Sequence, residues 1–338
     1  MSAVRDEVLS MINGAWACQA LAVACELDIP ERLAESPRDA ASLAADTGMH
    51  APSMQRFLRA LCAIEVCTER GDGRFALGAA GEWLRRGQAG SLHAWAILSG
   101  RRLWGLWGDL REGLRTGESV RRRRRGFDDF GELDADAAMA AVFNRAMISI
   151  TEPVAAAFVA KASFAGVARV VDVGGGPGHL LATLLAAHGS MRGIVFDLPH
   201  ARAIAEETLR SRGVADRGEF VEGSFFDGVP EGADAYLLKS VLHNWDDERA
   251  ARILGGCAAA MARSSRLMLL ERVLPPRIST SSRDRDAARS DLQMLLGCDG
   301  RERTQAEFDA LLAGAGLERR GVTPLTSDFS LIEAAIAG

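Results

Sequence analysis

The sequence is poor in the features that define several common classes of protein. Its six cysteines form no C-x-x-C pair and have no spacing typical of zinc ligands, so they predict reduced thiols rather than a disulfide framework. No uninterrupted apolar run approaches about 18 residues, and the N-terminus lacks the charged start and apolar core of a signal peptide. These absences predict a cytoplasmic protein that neither crosses a membrane nor is secreted.

Positive charge is also too scarce for a typical nucleic-acid-binding protein. The 45 acidic residues outnumber the 40 lysines and arginines, which gives a net charge of -5. This balance favours neither nucleic acid nor an anionic membrane as a partner. All basic residues are arginines except Lys161 and Lys239, so each of these two lysines is a candidate for a specific role.

The length and composition predict two globular domains. The chain has 338 residues, 48% apolar and 25% charged, as expected for folded domains. Residues 1–115 show apolar residues at helical spacing, and residues 42–77 predict two short helices followed by a β-hairpin. This order is that of a winged helix, which either reads DNA or serves as a scaffold for protein contacts. The few basic residues on its second helix favour the scaffold.

Residues 116–160 are predicted to be connecting helices before a second domain at 161–338. Five consecutive arginines, from Arg121 to Arg125, predict a solvated, self-repelling loop, with the steering of an anionic ligand as the alternative. A long helix should follow and lead into the second domain.

The most informative stretch is a glycine-rich turn between a strand and a helix. Apolar residues around Asp172 predict a buried strand, and Gly174, Gly175 and Gly176 begin the turn that leads to an apolar helix. The spacing D-x-G-x-G-x-G fails the dinucleotide pattern G-x-G-x-x-G, and the Gly-Lys-Ser/Thr of a phosphate loop is absent. It resembles the first motif of the class I methyltransferases that use S-adenosylmethionine. Taken alone, the stretch also fits a plain strand–turn–helix corner.

Strands and helices alternate after this turn, and each strand is followed by a residue suited to binding. The alternation predicts an α/β fold with a mainly parallel sheet covered on both faces, which binds ligands at the carboxyl ends of its strands. Asp197 ends the second strand and could accept hydrogen bonds from ribose hydroxyls. Ser224 and Phe225 follow the third and could meet the edge and face of an adenine. The alternatives are a surface aspartate and a core phenylalanine.

The fourth strand leads into Leu-His-Asn-Trp-Asp-Asp-Glu at residues 242–248, and Phe-Asp-Leu-Pro stands at 196–199. Together with the glycine turn, these motifs resemble the small-molecule O-methyltransferases, which include plant caffeate and flavonoid enzymes and bacterial antibiotic-tailoring enzymes. The resemblance covers nearly the whole chain. It implies a Rossmann-like methyltransferase domain, an N-terminal, mostly α-helical, winged-helix-like dimerisation domain, and a homodimer in secondary metabolism.

The resemblance also implies the site residues. The general base falls on His243, and its acidic partners fall on Glu271 and Glu302. The implied cofactor is S-adenosyl-L-methionine, which becomes S-adenosyl-L-homocysteine, without a metal. Its contacts fall on Asp172, Gly174, Gly175, Gly176, Asp197, Leu198, Ser224, Phe225, Lys239 and Ser240. The family often has Asp at the position of Ser224 and usually at that of Asn244, so the adenine contact and the electrostatic support of His243 should differ here.

The chemistry of methyl transfer agrees with this assignment. An in-line displacement at a sulfonium needs a nucleophilic oxygen that has lost its proton, and a histidine can accept that proton near neutral pH. A carboxylate on the other ring nitrogen fixes the tautomer and stabilises the imidazolium. On its own, His243 could equally be a core or helix-start histidine.

The substrate is predicted to be a hydroxylated aromatic small molecule. The predicted pocket residues are Trp95, Trp104, Phe143, Asn144, Met147, Asn244, Met294 and Leu295. Two alternatives stay open at this point. One is an enzyme with the same fold and cofactor that acts as a hydroxylase or cyclase, and the other is a winged-helix regulator that senses the cofactor.

Overall fold

The computed structural model describes residues 2–125 and 136–338, which form two compact units. The first unit takes the described residues of Met1–Gly105 together with Ala137–Ser149. The second takes those of Leu106–Asp136 and Ile150–Gly338. The limits predicted at residues 115 and 160 therefore do not coincide with the limits of the compact units.

The first unit is mainly helical. Its elements are α1 (Ser2–Asn13), α2 (Ala15–Glu26), α3 (Ile29–Glu35), α4 (Ala40–Thr47), α5 (Ala51–Cys62), β1 (Cys67–Glu69), β2 (Phe75–Leu77), α6 (Ala79–Glu82), α7 (His93–Leu98) and a π-helical stretch, Ser99–Leu103. Helix α8 (Trp104–Gly108) lies across the limit of the two units, and so does α11 (Ala137–Lys161).

The predicted pair of short helices and the hairpin are present in this unit. The side chain of Asp39 caps α4 by accepting a hydrogen bond from the amide of Ser42, and Gly48 ends α4 with a positive φ of 69°. Strands β1 and β2 pair antiparallel. Leu43, Leu58 and Phe75 are fully buried between the helices and the hairpin, so the winged-helix arrangement has its own hydrophobic core.

Helix α1 leaves much of its apolar surface uncovered. Ile12 is 69% exposed and Val4 is 68% exposed. Two helical stretches, Ala3–Glu26 and Ala137–Lys161, have the length and hydropathy of a membrane span, with 22% and 28% of their apolar windows buried. Core helices and helices that pack against a second chain meet the same test. The prediction that the protein does not bind a membrane therefore stays a prediction.

The second unit is built on a large sheet. Its strands are β3 (Arg169–Val173), β4 (Arg192–Asp197), β5 (Gly218–Glu222), β6 (Ala235–Lys239), β7 (Arg266–Leu274), β8 (Arg303–Thr304), β9 (Leu317–Pro324) and β10 (Phe329–Ile336). Its further helices are α9 (Leu110–Thr116), α10 (Val120–Arg125), α12 (His179–Ala187), α13 (Arg202–Ser211), α14 (Asp247–Ala260), α15 (Ser282–Gly297) and α16 (Gln305–Gly314).

The sheet order is β5-β4-β3-β6-β7-β10-β9, and the short β8 also pairs with β7. Strands β3 to β7 are parallel, whereas β10 is antiparallel to β7 and to β9. Side chains of β6 alternate between two cores, with Leu237 on one face and Tyr236 and Leu238 on the other. The predicted mainly parallel α/β sheet, covered on both faces, is confirmed, and the carboxyl ends of β3 to β7 lie along one edge.

The arginine run is not the self-repelling loop that the sequence predicts. It forms α10, in which Arg122 pairs with Asp299, Arg123 pairs with carboxylates that include Glu112, and Arg124 pairs with Asp109. Carboxylates from the neighbouring segment of residues 109–112 and from Asp299 thus offset the repulsion between neighbouring arginines, which permits a helix.

The central position of β6 generates a prediction about stability. Replacement of Leu237 by alanine should lower the free energy of unfolding by about 2–5 kcal/mol, because it leaves a cavity in a fully packed core. Urea denaturation followed by circular dichroism measures this change. The control Leu114→Ala, at a position that is 63% exposed, should change the free energy by less than about 0.5 kcal/mol. Equal effects at the two positions would contradict the assignment of Leu237 to the core.

Candidate active site

The backbone of the glycine-rich turn after β3 strongly favours glycine. Gly174, Gly176 and Gly178 have positive φ angles of 68°, 52° and 72°. A Cβ on Gly174 would lie 2.9 Å from Cγ2 of Val241, and one on Gly175 would lie 2.9 Å from the carboxylate of Asp172. The turn therefore brings bare backbone to the edge of the sheet, where a ligand can approach it closely.

Buried polar groups without partners surround this turn. Within the described part of the chain, Oδ2 of Asp172 and Oγ of Ser240 are buried and have no hydrogen-bond partner. Burial, and then the negative charge of Asp197, raise the pKa of Asp172 to about 7. Burial, and then repulsion by Arg272, lower the pKa of Lys239 to about 8. Unsatisfied groups of this kind are costly in an empty core and indicate a binding site for a polar ligand.

Three further predicted cofactor residues lie at the same edge. The carboxylate of Asp197 accepts hydrogen bonds from the amides of Gly176 and Leu198, both at 2.6 Å, and thereby holds the turn. Burial raises the pKa of Asp197, and these amide bonds oppose the rise. The ring of Phe225 lies beside Gly174, whose added Cβ would be 3.5 Å from its Cε1. Oγ of Ser224 accepts a hydrogen bond from the amide of Phe226 at 3.2 Å.

His243 lies in a single 3₁₀ turn, Leu242–Asn244, directly after β6. Its Nδ1 is 3.1 Å from Oε1 of Glu302 and 3.9 Å from Oε2 of Glu271, and all three side chains are buried. A bond from Nδ1–H to the Glu302 carboxylate leaves Nε2 as the nitrogen that can accept a proton. The structure therefore brings together the three residues that the sequence predicts as catalytic.

The two carboxylates beside His243 have different environments. Burial raises the pKa of Glu302, but attraction to His243, hydrogen bonds from His243 and Ser290, and the charge of Arg272 together hold it below its usual value. The bond from Oγ of Ser290 is 2.6 Å long. Burial raises the pKa of Glu271. Its Oε1 accepts the backbone amides of residues 241 and 242 at 3.0 Å each. Glu302 is thus the ionised partner of the ring, whereas Glu271 fixes the start of the turn.

Sequence reasoning missed the residues that support this cluster. Arg272 forms an ion pair with Asp328 and lies 3.9 Å from Glu302, and the amide of Glu302 donates to Oδ1 of Asp291 at 2.9 Å. Ser290 and Asp291 are adjacent on α15. None of them belongs to a motif, because only the fold brings α15 and β7 to the loop at residue 302.

The predicted pocket residues fall in both units. In the first, Trp95, Phe143 and Met147 pack around Ala94, Leu98 and Ala146. Trp104 begins α8, and Asn144 lies on α11. In the second, Met294 and Leu295 lie on α15, and Nδ2 of Asn244 donates to the carbonyl of Ser240 at 3.1 Å. The roles of these residues in substrate binding remain predictions.

Two groups of acidic and histidine side chains lie close enough to share a metal ion, although the sequence shows no ligand cluster. In the described residues they are His243, Glu271 and Glu302, and Asp28, Glu31 and His93, with ligand atoms within 4.8 Å of one another. The sequence could not reveal them, because residues far apart in the chain form each group. The prediction that the reaction uses no metal stays a prediction.

The sheet, the glycine turn and the strand-end residues define a class I methyltransferase fold. Residues 107–318 match the family model of the O-methyltransferase domain, and residues 9–87 match that of the O-methyltransferase dimerisation domain. The chain belongs to the O-methyltransferase family. This result confirms the resemblance seen in the sequence and assigns the winged-helix region to the dimerisation domain.

Relatives from bacterial natural-product pathways match almost the full chain. A phenazine O-methyltransferase from Lysobacter antibioticus is 36% identical over 97% of this chain and 95% of its own length. A mitomycin biosynthesis 6-O-methyltransferase from Streptomyces lavendulae is 37% identical over 94% and 90%. The crystal structure of an O-methyltransferase from neocarzinostatin biosynthesis, in complex with S-adenosylmethionine and 2-hydroxy-5-methyl naphthoic acid, superposes with a TM-score of 0.82. It is 34% identical over 95% of this chain and 96% of its own.

Not every relative is named as an O-methyltransferase. The aclacinomycin 10-hydroxylase of Streptomyces purpurascens is 32% identical over 97% of this chain and 90% of its own length. Membership of the family therefore does not by itself define the reaction of a member, and the chemistry has to be argued from the site.

The raised pKa of Asp172 generates a prediction about pH. Between about pH 4 and pH 7 the folded state binds more protons at Asp172 than the unfolded chain, so the free energy of unfolding should fall as the pH rises. For the ligand-free protein, this fall between about pH 4.5 and about pH 7.5 should reach about 3 kcal/mol relative to Asp172→Asn. Urea denaturation at a series of pH values across this range measures the fall in the free energy of unfolding. The exposed Asp216→Asn should follow the wild type. Parallel curves for the wild type and Asp172→Asn would refute the prediction.

Proposed function

We propose that the chain transfers a methyl group from S-adenosylmethionine to a hydroxyl group of an aromatic small molecule of secondary metabolism, with His243 as the general base. The observation that carries this proposal is the 3.1 Å contact between Nδ1 of His243 and the ionised carboxylate of Glu302. It leaves Nε2 free to take a proton, at the edge of the sheet where the glycine turn also lies.

The proposed cofactor fits the residues at that edge. The positive φ angles of the turn and the partnerless atoms of Asp172 and Ser240 suit a polar ligand that lies against backbone. Asp197 would bind the ribose hydroxyls, and Ser224 and Phe225 would meet the adenine edge and face. When bound, S-adenosylmethionine supplies a methyl group from a sulfonium. No metal is needed for a displacement that begins from an activated methyl group.

The protein's own residues supply orientation and proton transfer. Nε2 of His243 takes the proton of the acceptor hydroxyl as the oxygen–carbon bond forms, and the sulfur–carbon bond breaks with its electrons left on sulfur. The resulting imidazolium donates through Nδ1 to Glu302, which stabilises the positive charge. The hydrogen bond from Ser290 and the charge of Arg272 add to the attraction of His243 for Glu302, so the ring does not lose its ionised partner during the reaction. The proton leaves His243 to solvent after product release.

The substrate class follows from the family and from the predicted pocket. The relatives act in the biosynthesis of phenazine and mitomycin compounds, and one binds a hydroxylated naphthoic acid. The pocket residues predicted for this chain include Trp95, Phe143 and Met147, which form an apolar aromatic cluster within the first unit. Such a surface suits a flat aromatic acceptor.

Loss of the base gives the direct test. His243→Ala should lower kcat on a neutral phenol by about 10²–10⁴-fold, the usual contribution of general-base catalysis. His243→Gln keeps the size of the side chain but cannot take the proton, so it should be similarly impaired. The probes are the best neutral phenol from a screen with methyl-labelled cofactor, and its nitro-substituted analogue, which is already ionised at the assay pH.

The ionised analogue should partly rescue His243→Ala, because it needs no base. Glu271→Gln should cost less than His243→Ala, since Glu271 mainly holds the backbone of the turn. The affinity for S-adenosylhomocysteine should stay unchanged in His243→Ala. Wild-type turnover of this variant on the neutral phenol at pH 7 would contradict the general-base role and leave proximity as the source of the rate.

The labelled-methyl assay and a DNA-binding assay separate the two alternative functions. A hydroxylase or cyclase would leave the label on the cofactor and out of the aromatic product. A cofactor-sensing regulator would bind DNA with an affinity that falls steeply with salt. In the winged helix, Arg59 of α5 is already paired with Glu69 of the hairpin, which argues against a DNA-reading surface on that helix.

We also propose that the protein is a homodimer through its N-terminal domain. Residues 9–87 match the dimerisation domain, and α1 carries Val4, Val8 and Ile12, all exposed, at intervals of four residues. Exposed apolar side chains of this size on adjacent turns are typical of an interface.

A charge on α1 should weaken this assembly. Ile12→Asp should shift the mass measured by light scattering at micromolar concentration from that of a dimer towards that of a monomer, because it puts a charge into an apolar interface. Ile278→Asp, at a position that is 53% exposed in the second unit, is the control and should stay dimeric. A monomeric wild type, or an unchanged Ile12→Asp dimer, would contradict this interface.

A further inference from the structure

A third charged side chain, besides those of Glu271 and Glu302, reaches the backbone of the turn that holds His243. Arg303 is fully buried, with 0% of its side chain exposed. Its Nη1 donates to the carbonyl of Leu242 at 2.8 Å, and its Nη2 donates to the carbonyl of Trp245 at 2.7 Å. These carbonyls lie on either side of residues 243 and 244, so one planar guanidinium spans the turn.

Asp247 orients this guanidinium. Nε of Arg303 donates to Oδ1 of Asp247 at 3.0 Å, and Nη2 lies 2.9 Å from the same oxygen. The carboxylate is 53% exposed and also pairs with the partly exposed Arg301 through Oδ2. Arg301 and Arg303 therefore share one anion, but the hydrogen bonds to the turn come from Arg303. The rigid fork of arginine suits this arrangement, since it places several donors in fixed directions.

The segment of Arg303 is held tightly against the turn. A Cβ on Gly300 would lie 2.0 Å from the carbonyl oxygen of His243, so the two backbones touch. Arg303 begins β8 and pairs with Val273 of β7, the strand that also carries Glu271. Glu302 and Arg303 are thus adjacent on an anchored backbone. Glu302 holds the ring of His243, and Arg303 holds the carbonyls of Leu242 and Trp245 on either side of it.

We propose that Arg303 is a positioning residue for methyl transfer. It fixes the backbone of residues 242–245, so that the ring of His243 keeps its bond to Glu302 and presents Nε2 to the acceptor hydroxyl. This inference rests on the general-base role proposed for His243. A shift of about 1 Å in a reacting group can cost about 10²-fold in rate, so a loosened turn reduces proton transfer before it affects cofactor binding.

An arginine that only stabilises the fold would behave differently. Its loss would lower the turnover of every acceptor alike, because it would lower the amount of folded enzyme. A residue that acts through His243 matters only when the acceptor needs a base. The dependence of the rate loss on the ionisation of the acceptor therefore separates the two roles.

The test compares Arg303→Met and Arg303→Lys with the control Arg301→Met in the full chain, on the neutral phenol and its nitro-substituted analogue described above. For Arg303→Met we expect kcat on the neutral phenol to fall about 10–100-fold, and kcat on the ionised analogue by less than about threefold. Arg303→Lys should show a smaller loss, since one ammonium can satisfy only part of this set of acceptors. The KM for S-adenosylmethionine should stay unchanged, and Arg301→Met should match the wild type.

A double-variant comparison makes the connection to His243 explicit. In the His243→Ala background, Arg303→Met should change kcat by less than about twofold, because the base through which it acts is already absent. Independent losses that multiply in the double variant would overturn the proposal.

The outcomes distinguish this inference from the proposed function. Wild-type turnover of Arg303→Met together with impaired His243→Ala would overturn the positioning role and leave the base intact. Wild-type turnover of His243→Ala would overturn the base and with it the inference. If Arg303→Met does not fold, kcat on the neutral and the ionised acceptor is compared in Arg303→Lys and Asp247→Ala instead. The side chain of Asp247 is half exposed, so its loss should leave the fold intact. Equal losses on both acceptors would then refute the positioning role.

Discussion

The buried hydrogen bond between His243 and Glu302 is the interaction on which the rest of the site depends. A histidine can take a proton from an acceptor only when its ring is held and one nitrogen stays free. A carboxylate at this depth would normally take up a proton itself, since burial disfavours its charge. The ring of His243 first, and then Ser290 and Arg272, oppose this and hold the pKa of Glu302 below its usual value. The packing of α15 and β7 around residue 302 is therefore a condition for the base catalysis proposed for His243.

Two carboxylates of the same type have different roles because their surroundings differ. Glu302 accepts from a ring nitrogen and a hydroxyl and stays ionised, whereas Glu271 accepts two backbone amides and has a raised pKa. The same principle applies on the cofactor side, where burial raises the pKa of Asp172 and lowers that of Lys239. Such opposed environments are typical of functional sites, because interior groups there are arranged for a ligand rather than for each other.

The sequence predicted well wherever the physics is local. The turn at residues 174–178 needs positive φ angles, which glycine adopts readily, so the motif itself specifies the geometry. The alternation of apolar strands and helices predicted the sheet and placed Asp197 at its edge. The arginine run was predicted wrongly, since its conformation depends on Asp109 and Asp299. Carboxylates so distant in sequence give no signal in a local pattern.

The amino-acid sequence by itself thus determined the α/β class, the glycine turn and the identity of the three clustered residues His243, Glu271 and Glu302, the last through resemblance to a family. Only the tertiary structure decided how the hydrogen-bond partners and pKa values of Glu271 and Glu302 differ, and which other residues support them. Ser290 on α15 and Arg272 on β7 contact Glu302, whereas Arg303 at the start of β8 donates to the backbone of the histidine turn. Their effects are electrostatic and geometric, and they depend on distances of a few ångströms that exist only after the chain has folded.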